Sequence, residues 1–144
     1  MKTINTILLT AGISILGSMG AQASLLSDAA SMNVKKACDV KANGVKKVLA
    51  IAAKYNPEAV KLGVEFKRLG ITNSNYIKTT KAASKAGKKE VVLEYKSKGK
   101  VKKQKMSTNR AAWRACTFAV RALQVKDEAG KTWRLSVPGD GFKY

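Results

Sequence analysis

The chain contains two cysteines, Cys38 and Cys116, and each falls on the apolar side of a helical pattern. At 100° per residue Val34, Ala37, Cys38, Val45, Val48, Leu49, Ala52 and Tyr55 share one side, with Lys35, Lys36, Asp39, Asn43, Lys46, Lys47 and Lys54 opposite. In the segment STNRAAWRACTFAVRALQV, Ala112, Ala115, Cys116, Ala119 and Leu123 likewise gather on one side. Small residues there allow close packing. If the two thiols pair, an early helix and a late one are clasped face to face, and most arrangements of the chain are excluded. The alternative is two unrelated buried thiols.

Pairing depends on the compartment. Met1-Lys2 is a short cationic start, Ile7 to Met19 is mostly apolar, and Ala21-Gln22-Ala23 has the small-x-small form that signal peptidase reads. Residues 1–23 are therefore expected to be a cleaved secretory signal, leaving 24–144 as one basic domain in the periplasm or outside the cell. The apolar run is shorter than the roughly 20 residues of a membrane span, and nothing later resembles one. An oxidising compartment favours a Cys38–Cys116 disulfide.

Ser27 is the expected cap of a first helix with Asp28 in its first turn, and Asn43-Gly44 marks a kink or break. YNPEAVKLGVEFKRLG reads as a second helix, with Asn56 as cap, Pro57 at its first position, a stripe of Leu62, Phe66 and Leu69, and Gly70 as its stop. TNSNYIKTTKAASKAG reads as a third, stopped by Gly87. At Lys88 the period changes to two. Val91, Leu93 and Tyr95 alternate with Val92, Glu94 and Lys96, Lys98-Gly99 supplies a turn, and Val101 to Met106 returns. The expected register sets Val91 against Met106, Leu93 against Gln104 and Glu94 against Lys103. A helix from Asn109 to about Val125, capped by Thr108, follows, with a strand over Phe118–Val125 as the alternative. Asp127 to Lys131 reads as a turn, and Trp133, Leu135 and Val137 as a final strand ended by Pro138. The fold class is α+β: three N-terminal helices, a basic β-hairpin, a further helix and a C-terminal strand, giving a small antiparallel sheet covered by helices.

Charge narrows the function. The formal net charge is +19, most of it from lysine. Such a field attracts anions. There is no histidine, which removes the commonest general base and metal ligand and every Ser-His or Cys-His arrangement. Two distant cysteines make no zinc signature, and no phosphate-binding loop is present. Glu58 and Glu65, seven apart on one expected helix face, read as solvated partners of lysines rather than a catalytic pair. No enzyme activity and no cofactor are expected.

Two basic features remain. One is the lysine tract from Lys78 to Lys105, densest at Lys96, Lys98, Lys100, Lys102, Lys103 and Lys105. The other is the stripe Arg110, Arg114 and Arg121, flanked by Trp113 and Phe118. Cations beside aromatics suit phosphate contacts and stacking. Export places cytoplasmic nucleic acid out of reach. The expected function is a small exported, non-enzymatic protein that binds an anionic macromolecule: an envelope polymer, extracellular nucleic acid or an acidic protein. The alternatives are an inhibitor or immunity-type protein that neutralises an acidic exported toxin or enzyme, and a structural accessory of an envelope assembly.

Overall fold

The computed structural model describes residues 18–97 and 99–132. Residues 1–17, Lys98 and the expected final strand at Trp133–Val137, with Pro138 and the tail to Tyr144, lie outside the described residues. The elements are α1 (Ser18–Ser31), α2 (Val34–Ala37), α3 (Val40–Lys61), β1 (Lys67–Arg68), β2 (Ile71–Thr72), α4 (Asn73–Lys85), β3 (Glu90–Ser97), β4 (Lys100–Ser107) and α5 (Thr108–Thr132). The fold is α+β. α5 is its hub, packing most extensively on α3 and then on α4 and α1, while α4 and α5 cover one face of the β3–β4 hairpin.

The first helical pattern is divided more often than its periodicity suggests. Ser27 caps nothing, because α1 begins at Ser18 and runs past it. The chain then breaks where Asx side chains offer the backbone alternative partners. Asn33 accepts from the Lys36 N–H at 3.1 Å and caps α2, and Asp39 accepts from the Lys41 N–H at 2.9 Å and caps α3. Asn43 Nδ2 donates to the Lys36 and Ala37 carbonyls, which α2 leaves open at its end. At Gly44 the backbone takes φ 74°, and α3 is kinked there as expected. The apolar side survives these breaks: Val34, Cys38, Val48, Leu49, Ala52 and Tyr55 are all buried. At the far end of α1, Gln124 of α5 donates to the Ala29 and Met32 carbonyls at 3.0 and 2.9 Å.

The expected second helix is not separate. α3 continues through Asn56 and Pro57 to Lys61, accepting the loss of one N–H donor at Pro57. Asn56 is buried and bonded elsewhere, so its side chain is not free to cap. Gly63, at φ 68°, stops the helix: its N–H reaches the Val60 carbonyl and that of Val64 reaches Ala59, the paired bonds of a Schellman motif. Gly70 instead joins Leu69 in the turn of the short β1–β2 hairpin. Leu62 and Phe66 are half-buried, and Leu69 is exposed at the turn.

α4 begins at a Thr72 cap and ends at Gly87 through the same paired bonds, with the Lys88 N–H on the Ala83 carbonyl. The β3–β4 register is the expected one, Val91 against Met106, Leu93 against Gln104 and Glu94 against Lys103. Val91, Leu93 and Met106 are buried beneath α4 and α5, while Val92 and Val101 lie on the open face.

α5 is helical from Thr108 to Thr132, which removes the strand alternative and also the turn expected at Asp127–Lys131. An Asp127–Lys131 ion pair at i,i+4 supports the extra turns. Ser107 rather than Thr108 supplies the cap, accepting from the Arg110 N–H at 3.3 Å; the Thr108 hydroxyl donates to the Lys88 carbonyl. On the inner side Ala111, Ala112, Ala115, Cys116, Ala119 and Leu123 are fully buried. Cys38 and Cys116 form a disulfide with a Cα–Cα distance of 5.6 Å, joining the end of α2 to the middle of α5. Among the described residues no helix is long and apolar enough to cross a membrane.

Candidate functional site

The pleat of the β3–β4 ribbon divides the lysine tract. Successive side chains alternate between faces, so Lys96, Lys103 and Lys105 stand on the open face with Val92 and Glu94, while Lys100 and Lys102 share the face of Tyr95 and Gln104. Lys98 lies outside the described residues. Glu94 meets Lys103 at 3.3 Å. Five of the candidate lysines thus stand on two sides of a ribbon and do not form one gripping surface, although Lys105 also borders a depression at the β4 edge.

The arginine stripe is gathered differently. Arg110, Trp113, Arg114, Phe118 and Arg121 follow the outward side of α5, which borders three adjoining depressions. The first, about 300 Å³, lies along the β4 edge between Lys105, Arg110 and Arg114. The second, about 370 Å³, lies between Arg114, Trp113, Phe118, Arg68 and Leu69. The third and largest, about 800 Å³, is bounded by Val64, Phe66, Trp113, Phe118, Arg121 and Val125, with Lys126 also at its margin. Arg114 is common to the first two, and Trp113, Phe66 and Phe118 to the last two, so the three adjoin one another along α5 as a trough broken by these side chains. From Arg110 to Lys126 it follows α5 for about 24 Å at 1.5 Å per residue.

Six cations line this trough: Arg68, Lys105, Arg110, Arg114, Arg121 and Lys126. No carboxylate among the described residues lines any of its three parts. Among the described residues the ion pairs are Lys54–Asp28, Lys103–Glu94 and Lys131–Asp127, which leave these six unmatched. Trp113 is 45 % exposed, enough to present a ring face while it rests on the trough wall. Behind it Phe66 stacks on Phe118 with centroids 3.7 Å apart, and Tyr76 meets Phe118 edge-on at 5.8 Å.

Arg68 and Lys126 are the cations that periodicity alone does not select. Arg68 is delivered by the β1–β2 turn, in a stretch that reads as helix, and Lys126 by the last turns of α5, in a stretch next to an expected turn. For the first, Gly70 was a sequence signal, since glycine takes positive φ freely, whereas Leu69 adopts it in the tight turn against its own preference.

The wall that carries Phe66 is anchored by a polar network. Glu65 accepts from the Ser74 N–H at 2.6 Å, from the Ser74 hydroxyl, and from Asn56 Nδ2 at 3.1 Å. Asn73, fully buried, donates to Asn56 Oδ1 at 2.8 Å and to the Ala115 carbonyl at 3.0 Å. The 64–66 loop is thereby tied to α3, α4 and the middle of α5. Glu65 is consequently no helix-face partner of Glu58: α3 ends before it, and Glu58 is itself buried. Desolvation works to raise the Glu65 pKa, but the bonds from Ser74 and Asn56, helped by nearby Lys67, outweigh it and hold the carboxyl below its ordinary value. A depressed folded pKa adds stability above the unfolded value of about 4.3 and loses it as pH falls through the folded value. Glu65→Gln should therefore destabilise the domain by about 1–2 kcal/mol near pH 7 in urea unfolding, with the gap to the parent closing below about pH 4. A gap that persists unchanged in acid would mean that shape, not charge, is what Glu65 supplies.

Among the described residues no group of three or more His, Cys, Asp or Glu is placed to hold a metal ion. Comparison with protein-family models, with curated proteins and with solved structures finds no match for this chain.

Proposed function

We propose that this protein is a small exported, non-enzymatic binding protein that engages an anionic macromolecule through the trough on α5. One observation carries the reading: six cations and a half-exposed tryptophan border three adjoining depressions along α5 that, among the described residues, no carboxylate lines. Arginine forks fix the geometry of phosphate, sulfate or carboxylate contacts, and Trp113 offers a stacking surface beside them. The hairpin lysines add long-range attraction without a defined contact surface. The leader pattern of residues 1–23 and the Cys38–Cys116 bridge support export; cleavage after Ala23 would start the mature chain within α1. The absence of histidine supports a role in binding rather than in acid–base chemistry.

A single-stranded oligonucleotide and a sulfated polysaccharide, titrated into the protein across a range of salt, test this. Affinity should fall linearly on a log–log plot, with a slope of about −3 to −4 for the single strand if most trough cations displace counterions. A slope near zero, or no binding to either polymer at low salt, overturns the reading. A second reading, neutralisation of an acidic exported protein, is favoured by the placement of Trp113 among arginines, the residue types that anchor protein interfaces. Recovery of one acidic protein from an envelope extract after a high-salt wash would select it.

A further inference from the structure

The trough is not uniform along its length. At the β4 end it is framed by Lys105, Arg110 and Arg114, whereas the large part beside the C-terminal half of α5 is floored by Val64, Phe66, Phe118 and Val125, with Arg121 and Lys126 at its margin. A plain polyanion leaves such a floor unused. Such an apolar floor favours a ligand that brings apolar surface of its own to cover it. The volume, about 800 Å³, is within the range of small-molecule sites. Phe66 of the 64–66 loop stacks on Phe118 of α5 at 3.7 Å, so the two rings form one apolar surface. The crevice they floor has room for an extended acyl chain. Val125, 63 % exposed, stands at the open side.

We propose that this crevice binds the acyl chain of a single anionic amphiphile, with Arg121 and Lys126 holding its head group. Charge complementarity selects the anion, since among the described residues neither marginal cation has a carboxylate partner and no carboxylate lines the groove. The apolar floor selects the chain. This ligand goes beyond a polyanion and uses the opposite end of the trough from Lys105 and Arg110, so the two activities can fail separately.

The test is calorimetric titration of the full chain with lysophosphatidylglycerol kept below its aggregation concentration. Lysophosphatidylcholine of the same chain length, glycerol phosphate, and phosphatidylglycerol vesicles are the comparators. The expected result is one-to-one binding of lysophosphatidylglycerol, at least tenfold weaker binding of the zwitterionic lipid, and none of glycerol phosphate. Shortening the chain by two methylenes should weaken binding about tenfold. Val125→Asn, at an exposed position, should weaken the lipid about fivefold and leave the urea unfolding midpoint unchanged. Arg121→Gln should narrow the gap between the two lipids. Equal binding of both lipids, equal binding of glycerol phosphate, or binding to vesicles alone would overturn the proposal. So would a lipid affinity indifferent to Val125→Asn. If lipid binds only after Trp133, Leu135 and Val137 are all replaced by serine, the crevice belongs to the chain's own 133–144 segment and the proposal falls. Loss of lipid binding with retained oligonucleotide binding would leave the polyanion reading standing.

Discussion

Replacing Cys38 and Cys116 together with alanine, or reducing their bridge, is expected to cost the domain about 4–5 kcal/mol of stability. The bond closes a loop of sequence separation 78, and a loop of that length removes a large share of the conformations open to the unfolded chain. Location adds to length. Cys38 follows α2, the shortest helix, and α2 holds only modest contacts of its own; the bridge fixes it to the centre of α5, where both half-cystines are fully buried. A domain of this size has about 5–15 kcal/mol in total, so the reduced protein would stand near its unfolding threshold. Urea titration with and without a phosphine reductant measures the difference directly. The midpoint should move far to the left, and the slope should rise if the reduced unfolded chain is more expanded. A loss below about 1 kcal/mol would show that packing of α5 on α3 and α4 holds the fold without the bridge.

Binding provides the second large effect. Changing Arg110, Arg114 and Arg121 together to glutamine should weaken a polyanion by about a hundredfold at low salt and reduce the salt slope by about 2. Changing Lys96, Lys100 and Lys102 removes the same formal charge and should cost no more than about threefold. The contrast follows from placement. The three arginines line one trough, while Lys96 stands on the open face of the hairpin and Lys100 and Lys102 on the other. Side-by-side titrations of the two triple variants decide the matter. Equal losses would mean that only the overall field matters and that the trough makes no contacts of its own.

The parts of the structure that could be read in advance are those where one local signal dominates. Alternation from Val91 to Tyr95 specifies the hairpin register, because a slip of one residue would turn Val91, Leu93 and Met106 toward solvent. Gly87 ends α4, since a glycine takes the left-handed conformation of the stop without a Cβ clash. The alanine side of α5 around Cys116 faces inward, as its periodicity requires. Where two local signals compete, periodicity alone does not decide the outcome. Asn33, Asp39 and Asn43 each bond the backbone and divide what looks like one helix. Asn56 looks like a cap but is taken up by Asn73 and Glu65, partners from other elements.

Period and composition were enough to settle the class of fold, the face each cysteine presents, the pairing of the long strands and the excess of positive charge. Each of these depends on neighbours within a few residues or on a simple sum. The trough required the folded chain. Arg68 reaches it through a turn tied down by Glu65, Phe66 through its stacking on Phe118, and Lys126 through the continuation of α5. These contacts join residues that are distant in sequence, and their free energy exists only once the helices have packed against one another.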